Sequence, residues 1–215
     1  MREELGSTRN DGDAHWRLGA QRNLVDSRVA LSHTGWIDET WRRGFDSKLR
    51  SFIRSTFPDV ALRADNEEQI LIRRCDCIYI HYTSEDDYRD AVDLLRCNPE
   101  FQANTEEWFD VVNVNLDPNE LDFARLIYLF RVRLPGDDRR EEDVALVRLF
   151  RPSQWKPKTV WENCRILEDG RTMLMLPKYF IRGAHFIPAF GCRSEETTFY
   201  LNDVVDGDWF IRAGN

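Results

Sequence analysis

The sequence predicts a mainly β chain of the α+β kind: a small, partly open antiparallel barrel with an N-terminal helix and an inserted helix. Three observations carry this. Short stretches rich in β-branched and aromatic residues recur from Ile70 onward, and turn-forming residues separate them. Helical spacing of apolar residues is confined to two segments, about 38–57 and 84–97. Hydrophobic residues make up 42% of the chain and aromatics 12%, enough to offset the entropy of ordering. At 215 residues the expectation is a flexible arm over 1–35 and a single β-rich domain over 36–215.

Residues 1–35 are polar, with Gly6, Gly12, Gly19 and Gly35 spaced among charges, which reads as an arm or linker. The pattern changes at Asp38, a residue suited to capping a helix. Glu39 favours the positive helix end, and Trp41, Phe45, Leu49, Phe52 and Ile53 recur at helical spacing until Pro58. Gly44 within that run costs about 1 kcal/mol relative to Ala, so the helix requires tertiary packing.

Ile70–Ile72 and Cys77–Tyr82 read as short strands. Ser84 with Glu85, Asp86 and Asp87 has the form of a helix N-cap. Tyr88, Ala91, Val92, Leu94 and Leu95 then make an apolar stripe, giving the inserted helix an end near Asn98-Pro99. From Trp108 to Leu116, Val112, Val114 and Leu116 alternate with Asn113 and Asn115, a half-buried strand that turns at Asp117-Pro118-Asn119. Leu121–Leu134 is the longest apolar run. Its last residues alternate with Arg131 and Arg133, so it reads as a strand. Pro135-Gly136 turns it back through Val144, Leu146, Leu149 and Phe150 as an antiparallel hairpin. Beyond Pro152 come a loop carrying Trp155 and shorter strands around 161–167, 172–176, 184–190 and 198–204.

The 30 Lys and Arg against 38 Asp and Glu give a net charge of −8, which excludes a uniformly cationic surface for nucleic acid. A local basic face remains: Arg42, Arg43, Lys48, Arg50 and Arg54 lie opposite the apolar stripe of the first helix and could meet phosphates or acidic partners. Five cysteines without paired spacing argue for a reducing compartment, nuclear or cytoplasmic. No apolar run approaches the roughly 18 residues of a membrane span, so no membrane partner is expected.

Two family resemblances rest on particular residues. Ala124–Phe130, Val144–Pro152, Ile181-Arg182-Gly183-Ala184 and Phe199–Asn202, preceded by Phe45–Arg50 and followed by Asp203–Arg212, resemble the C-terminal region of proteins in mushroom-forming fungi that accompany transposons of the Plavaka and KDZ kind. More loosely, the layout is similar to a bromo-adjacent homology (BAH) domain, an SH3-like barrel. There an aromatic-arginine-proline corner like Phe150-Arg151-Pro152 and a closing aromatic pair like Phe199-Tyr200 recur. Residues 84–97 have no place in that plan. What these resemblances imply is a non-enzymatic interaction module, docking a protein or peptide such as a histone tail, with a nucleic-acid-binding accessory or transposase remnant as the alternative.

The candidate sites follow. Tyr128, Phe150, Trp155 and Trp161 flank the presumed corner and could form an aromatic pocket for a methylated lysine; Trp155, in a polar loop, is the one whose exposure suggests a partner. Asp203, Asp206 and Asp208 cluster as cation ligands do, but the rest of a calcium loop is missing and a solvated turn is expected. Asp110, Asp122 and Glu162 have nothing that singles them out as nuclease carboxylates. His81 and His185 sit in apolar strand-like contexts and read as core residues. No cofactor, no metal and no enzymatic chemistry is expected.

Overall fold

A computed structural model describes residues 15–32, 34–60, 62, 68–83, 90–98, 108–117, 120–136, 140–155, 165–189 and 197–202. Its strands are β1 (Trp16–Leu18), β2 (Gln21–Asp26), β3 (Leu71–Cys75), β4 (Cys77–Thr83), β5 (Asp90–Asn98), β6 (Trp108–Phe109), β7 (Val111–Asp117), β8 (Glu120–Arg133), β9 (Glu141–Pro152), β10 (Ile166–Met175), β11 (Phe180–Ala184), β12 (Phe186–Pro188) and β13 (Thr198–Leu201). The helix described, α1, spans Glu39–Thr56, and a 3₁₀ turn covers Pro177–Tyr179. The fold is mainly β.

The long strand β8 is the spine of the larger sheet, whose order is β11-β7-β8-β9-β10-β13-β12. One side of β8 pairs with β9, from Ala124↔Leu149 to Arg133↔Glu141. Its other side is shared: β7 takes the first part through Val111↔Arg125, and β3 takes the last through Cys75↔Leu129 and Leu71↔Arg133, with β2 outside β3. A smaller sheet, β1-β4-β5-β6, packs across one face.

Among the described residues, three chain segments pass from one sheet to the other by bending: β1 to β2 at Gly19, β3 to β4 at Asp76, and β6 to β7 at Asp110. Strands that switch sheets at bends form the corners of such packings. Main-chain hydrogen bonds keep the corners in line, from Gly19 N–H to Cys77 O at 2.9 Å, Cys97 N–H to Asp76 O at 2.8 Å and Leu126 N–H to Asp110 O at 3.0 Å. Both corner carboxylates are held by arginines. Arg22 donates to Asp76 at 2.9 Å and 3.1 Å, and the Arg96 backbone N–H and Nε donate to Asp110 at 2.7 Å and 3.0 Å.

The alternation of side chains along β8 explains the cores. Ala124, Leu126 and Leu129 face the smaller sheet, against Ile78, Ile80 and Leu95. Tyr128, Phe130 and Val132 face α1, whose Phe45, Leu49 and Ile53 cover them together with Ile70, Ile72, Val144 and Leu146. A register irregularity between Leu126 and Tyr128 keeps both sets inward, because an extra residue at Ile127 resets the alternation. Beyond α1, Phe123, Phe150, Leu167, Phe199 and Leu201 form a third cluster with Phe186.

Most of the expected strands and the first helix are present. Asp38 stands at the N-cap of α1 without capping it; its carboxylate accepts from Arg148 Nη2 at 3.0 Å and ties the helix start to β9. Residues 161–164 lie outside the described residues, while 166–167, the end of the strand expected near 161–167, run on into the strand expected near 172–176 as the single strand β10. Its register shifts between Asp169 and Thr172, where Gly170 lies so close to β9 that a Cβ would stand 2.7 Å from Leu149 O. The β8–β9 turn places Gly136 at φ +85°, a conformation glycine adopts without strain.

Two expectations are corrected. Within the expected inserted helix, residues 90–98 form the strand β5, paired with β4 from Cys77↔Arg96 to Thr83↔Asp90; 84–89 lie outside the described residues. Leu95 and Cys97 point inward while Val92 and Leu94 are exposed, so apolar residues occupy both faces. That doubling imitates a helical stripe, and pairing with β4 overrides it. Within the expected flexible arm, residues 16–26 form β1 and β2. Their apolar anchors are few, Trp16 and Leu18 on the inter-sheet core, and backbone ladders hold the rest.

Candidate functional site

The four aromatic residues expected to make one pocket do not converge. Tyr128 is 3% exposed under α1, edge-on to Phe45, whereas Phe150 is 7% exposed in the third cluster against Phe186 and Phe199. Trp161 lies outside the described residues.

The cage around Phe150 already holds a cation. The Arg125 guanidinium carbon lies 5.3 Å from the Phe150 ring centre and 4.6 Å from that of Phe199, and Arg125 pairs with Asp169 at 3.6 Å. Burial pulls its pKa below the usual arginine value, with Asp169 opposing. Arg125 therefore occupies the place that a methylated lysine would need at Phe150.

Trp155 belongs to a different arrangement. Its ring meets Tyr200 edge-on at 6.4 Å, and its backbone N–H donates to Ser153 Oγ at 3.2 Å. Ile166 and Ile187 are the cross-strand partners of Tyr200 on β10 and β12, so all three share a face. Phe199 and Leu167 take the buried face, leaving Trp155, Tyr200 and Ile166 half-buried and Ile187 40% exposed. Glu168, on the same side of β10, pairs with Arg151 at 3.0 Å and borders the patch. The result is an aromatic and aliphatic surface with a charged rim. Tyr200 and Ile187 were absent from the sequence-based candidates. The alternation Phe199-Tyr200 signals one ring in and one out, but which strand supplies the neighbour depends on β12 folding back.

The basic helix face is only partly a face. Arg50 is 1% exposed, its Nε on Asp46 at 2.8 Å and its Nη2 on Glu68 O at 2.5 Å, so it cannot meet a phosphate. Arg43 pairs with Glu39, and Lys48 donates to Thr40 O at 2.9 Å while lying 4.8 Å over the Trp41 ring. Arg42 is half-buried and Arg54 is exposed.

Asp203, Asp206, Asp208 and Glu162 lie outside the described residues. Among the described residues no group of three His, Cys, Asp or Glu is placed to hold a metal ion. Asp110 serves the corner with Arg96. His81 and His185, expected in the core, are exposed.

Cys75 and Cys97 are buried in the inter-sheet core. Burial pushes the Cys75 thiol up to about 12 and raises Cys97 and the half-buried Cys77 as well; it also pushes the Tyr128 hydroxyl up to about 12. Each group ionises in the unfolded chain before it can ionise in the native one. For Cys75 this contribution is fully present below about pH 9 and falls as pH rises toward 12, by about 1.4 kcal/mol per pH unit while the unfolded form alone is ionised. Tyr128 adds a loss of the same sign from about pH 10, and Cys97 and Cys77 act in the same direction. Urea midpoints measured between pH 8 and 11 are expected to fall with upward curvature in the loss, and Cys75→Ala is expected to flatten the curve.

Comparison of the chain with family models, with curated proteins and with solved structures finds no match.

Proposed function

We propose that this chain is a non-enzymatic interaction module that docks a protein or peptide on the surface formed by Trp155, Tyr200, Ile166 and Ile187. One observation carries the reading: an edge-on aromatic pair and an exposed isoleucine stand together on the outer side of β10, β13 and β12, within a charged border. Rigid aromatics beside aliphatic side chains with a polar rim are the composition of protein-binding hot spots. The resemblance to bromo-adjacent homology domains and to transposon-accompanying fungal proteins supports the same class, with a histone tail as one peptide of that kind and a nuclear setting to match. Among the described candidates, Arg125 fills the cage at Phe150, which leaves Trp155 with Tyr200 as the aromatic pair for a methylated lysine. The nucleic-acid alternative has less support, because Arg50 is internal and Arg43 and Lys48 are engaged within the helix.

A panel of modified and unmodified histone peptides and unrelated apolar peptides, titrated against the full chain, tests this. A bound peptide is expected to lose about tenfold or more in affinity with Trp155→Ala or Ile187→Glu at unchanged melting temperature. Binding that both variants leave intact, or binding to none of the panel together with DNA affinity that falls on neutralising Arg43 and Arg54, would overturn it.

A further inference from the structure

A second cluster lies on β3, β8 and β9, away from the β10, β13 and β12 end that carries Trp155. Arg73 is the direct cross-strand partner of Arg131, and Arg133 follows two residues along β8. By strand alternation all three project on the side of the larger sheet that faces the inter-sheet core, just past Cys75, Leu129 and Ala145. Two carboxylates answer them from β9. Asp143 takes Arg131 Nε at 2.7 Å and the Trp16 indole N–H at 3.3 Å. Glu141 offers one oxygen to two arginines, Oε1 at 3.3 Å from Arg133 Nη2 and 3.9 Å from Arg73 Nε.

As a purely internal salt-bridge network this arrangement is incomplete. Three guanidiniums face two carboxylates, in a chain whose net charge is −8. Like charges directly opposite on neighbouring strands repel. The Nε groups of both Arg73 and Arg133 are shielded from water and have no hydrogen-bond acceptor, a costly state for a charged donor. Yet the ends of these side chains stay open, 36% exposed for Arg73 and 27% for Arg133. Planar guanidinium forks of this kind match tetrahedral oxyanions in geometry and charge.

We propose that Arg73, Arg131 and Arg133 form a binding site for a phosphate-sized oxyanion, either free or carried on a phosphorylated chain. The anion meets the solvent-facing outer ends of the Arg73 and Arg133 guanidiniums, not their shielded Nε atoms, and balances the surplus positive charge. Glu141 is the internal competitor, bonded to Arg133 and within ion-pair distance of Arg73 through the same oxygen. This site is independent of the docking surface proposed above, and neither stands on the other.

The full chain is titrated calorimetrically with inorganic phosphate, with a phosphoserine peptide and with the same peptide unphosphorylated, chloride holding ionic strength constant. Saturable binding of phosphate or of the phosphopeptide, but not of the unmodified peptide, is expected, and the two positive arms distinguish a free anion from a chain-borne one. Arg73→Gln and Arg133→Gln are expected to weaken it about tenfold or more, and Arg171→Gln, an exposed arginine outside the cluster, to leave it unchanged. Glu141→Gln is the discriminating variant: the site reading predicts binding about tenfold tighter. No saturable binding in either phosphate arm, or binding that Glu141→Gln leaves unchanged or weakens, overturns the proposal.

Discussion

Asp46→Ala lowers the unfolding free energy by about 3–5 kcal/mol, whereas the double change Asp46→Ala with Arg50→Met recovers most of that loss. The expectation comes from Arg50 being inside. Its Nε donates to Asp46 at 2.8 Å, its Nη2 reaches Glu68 O at 2.5 Å, and Ser27 Oγ donates to the other Asp46 oxygen at 2.5 Å. Removing Asp46 alone leaves a guanidinium buried without its counter-charge, and that desolvated charge is the expensive part. Methionine at 50 keeps much of the volume and removes the charge. Urea denaturation with an unchanged slope measures both variants. A loss below about 1 kcal/mol for Asp46→Ala, the range of an exposed helix pair, would show that α1 is not docked through this network.

Phe45→Ala is expected to cost about 3–5 kcal/mol, and Phe45→Leu less than half of that. Phe45 is fully buried and meets Tyr128 and Phe130 edge-on at 6.4 Å and 5.6 Å, so truncation opens a cavity between α1 and β8 that the rings cannot fill. Because Gly44 weakens the helix intrinsically, its stability depends on this contact. Amide exchange in α1 is therefore expected to accelerate more than in β8 and β9, where the ladder persists without the helix. Equal acceleration in helix and sheet would mean that the two unfold as one unit.

These residues show how unevenly the chain can be read. Phe45, Leu49 and Ile53 announce themselves by spacing, and the β8–β9 hairpin announces itself by alternation and by Gly136. Arg50 looked like one more cation on a solvated face. At 100° per residue it lies near the edge of the apolar stripe, and only the arrival of Ser27 and Glu68 from distant segments makes that edge interior. Val92 and Leu94 misled in the opposite sense, since apolar residues on the outer face of β5 complete a helical pattern that β4 pairing overrules.

The candidate sites divide along the same line. That Phe199 and Tyr200 point to opposite faces follows from a strand's period of two, and that Trp155 sits in a polar loop is plain in the order of residues. That Arg125 enters the rings of Phe150 and Phe199, that Ile187 returns beside Tyr200, and that Arg73 stands opposite Arg131 depend on register between segments far apart in the chain. The amino-acid sequence by itself thus determined the mainly β class, the first helix and the central hairpin, because hydrophobic periodicity and turn chemistry act within a few residues. Only the tertiary structure decided the sheet corners, the strands within the first 35 residues and the grouping of arginines and aromatics, because one residue of slip in a ladder turns every side chain to the other face.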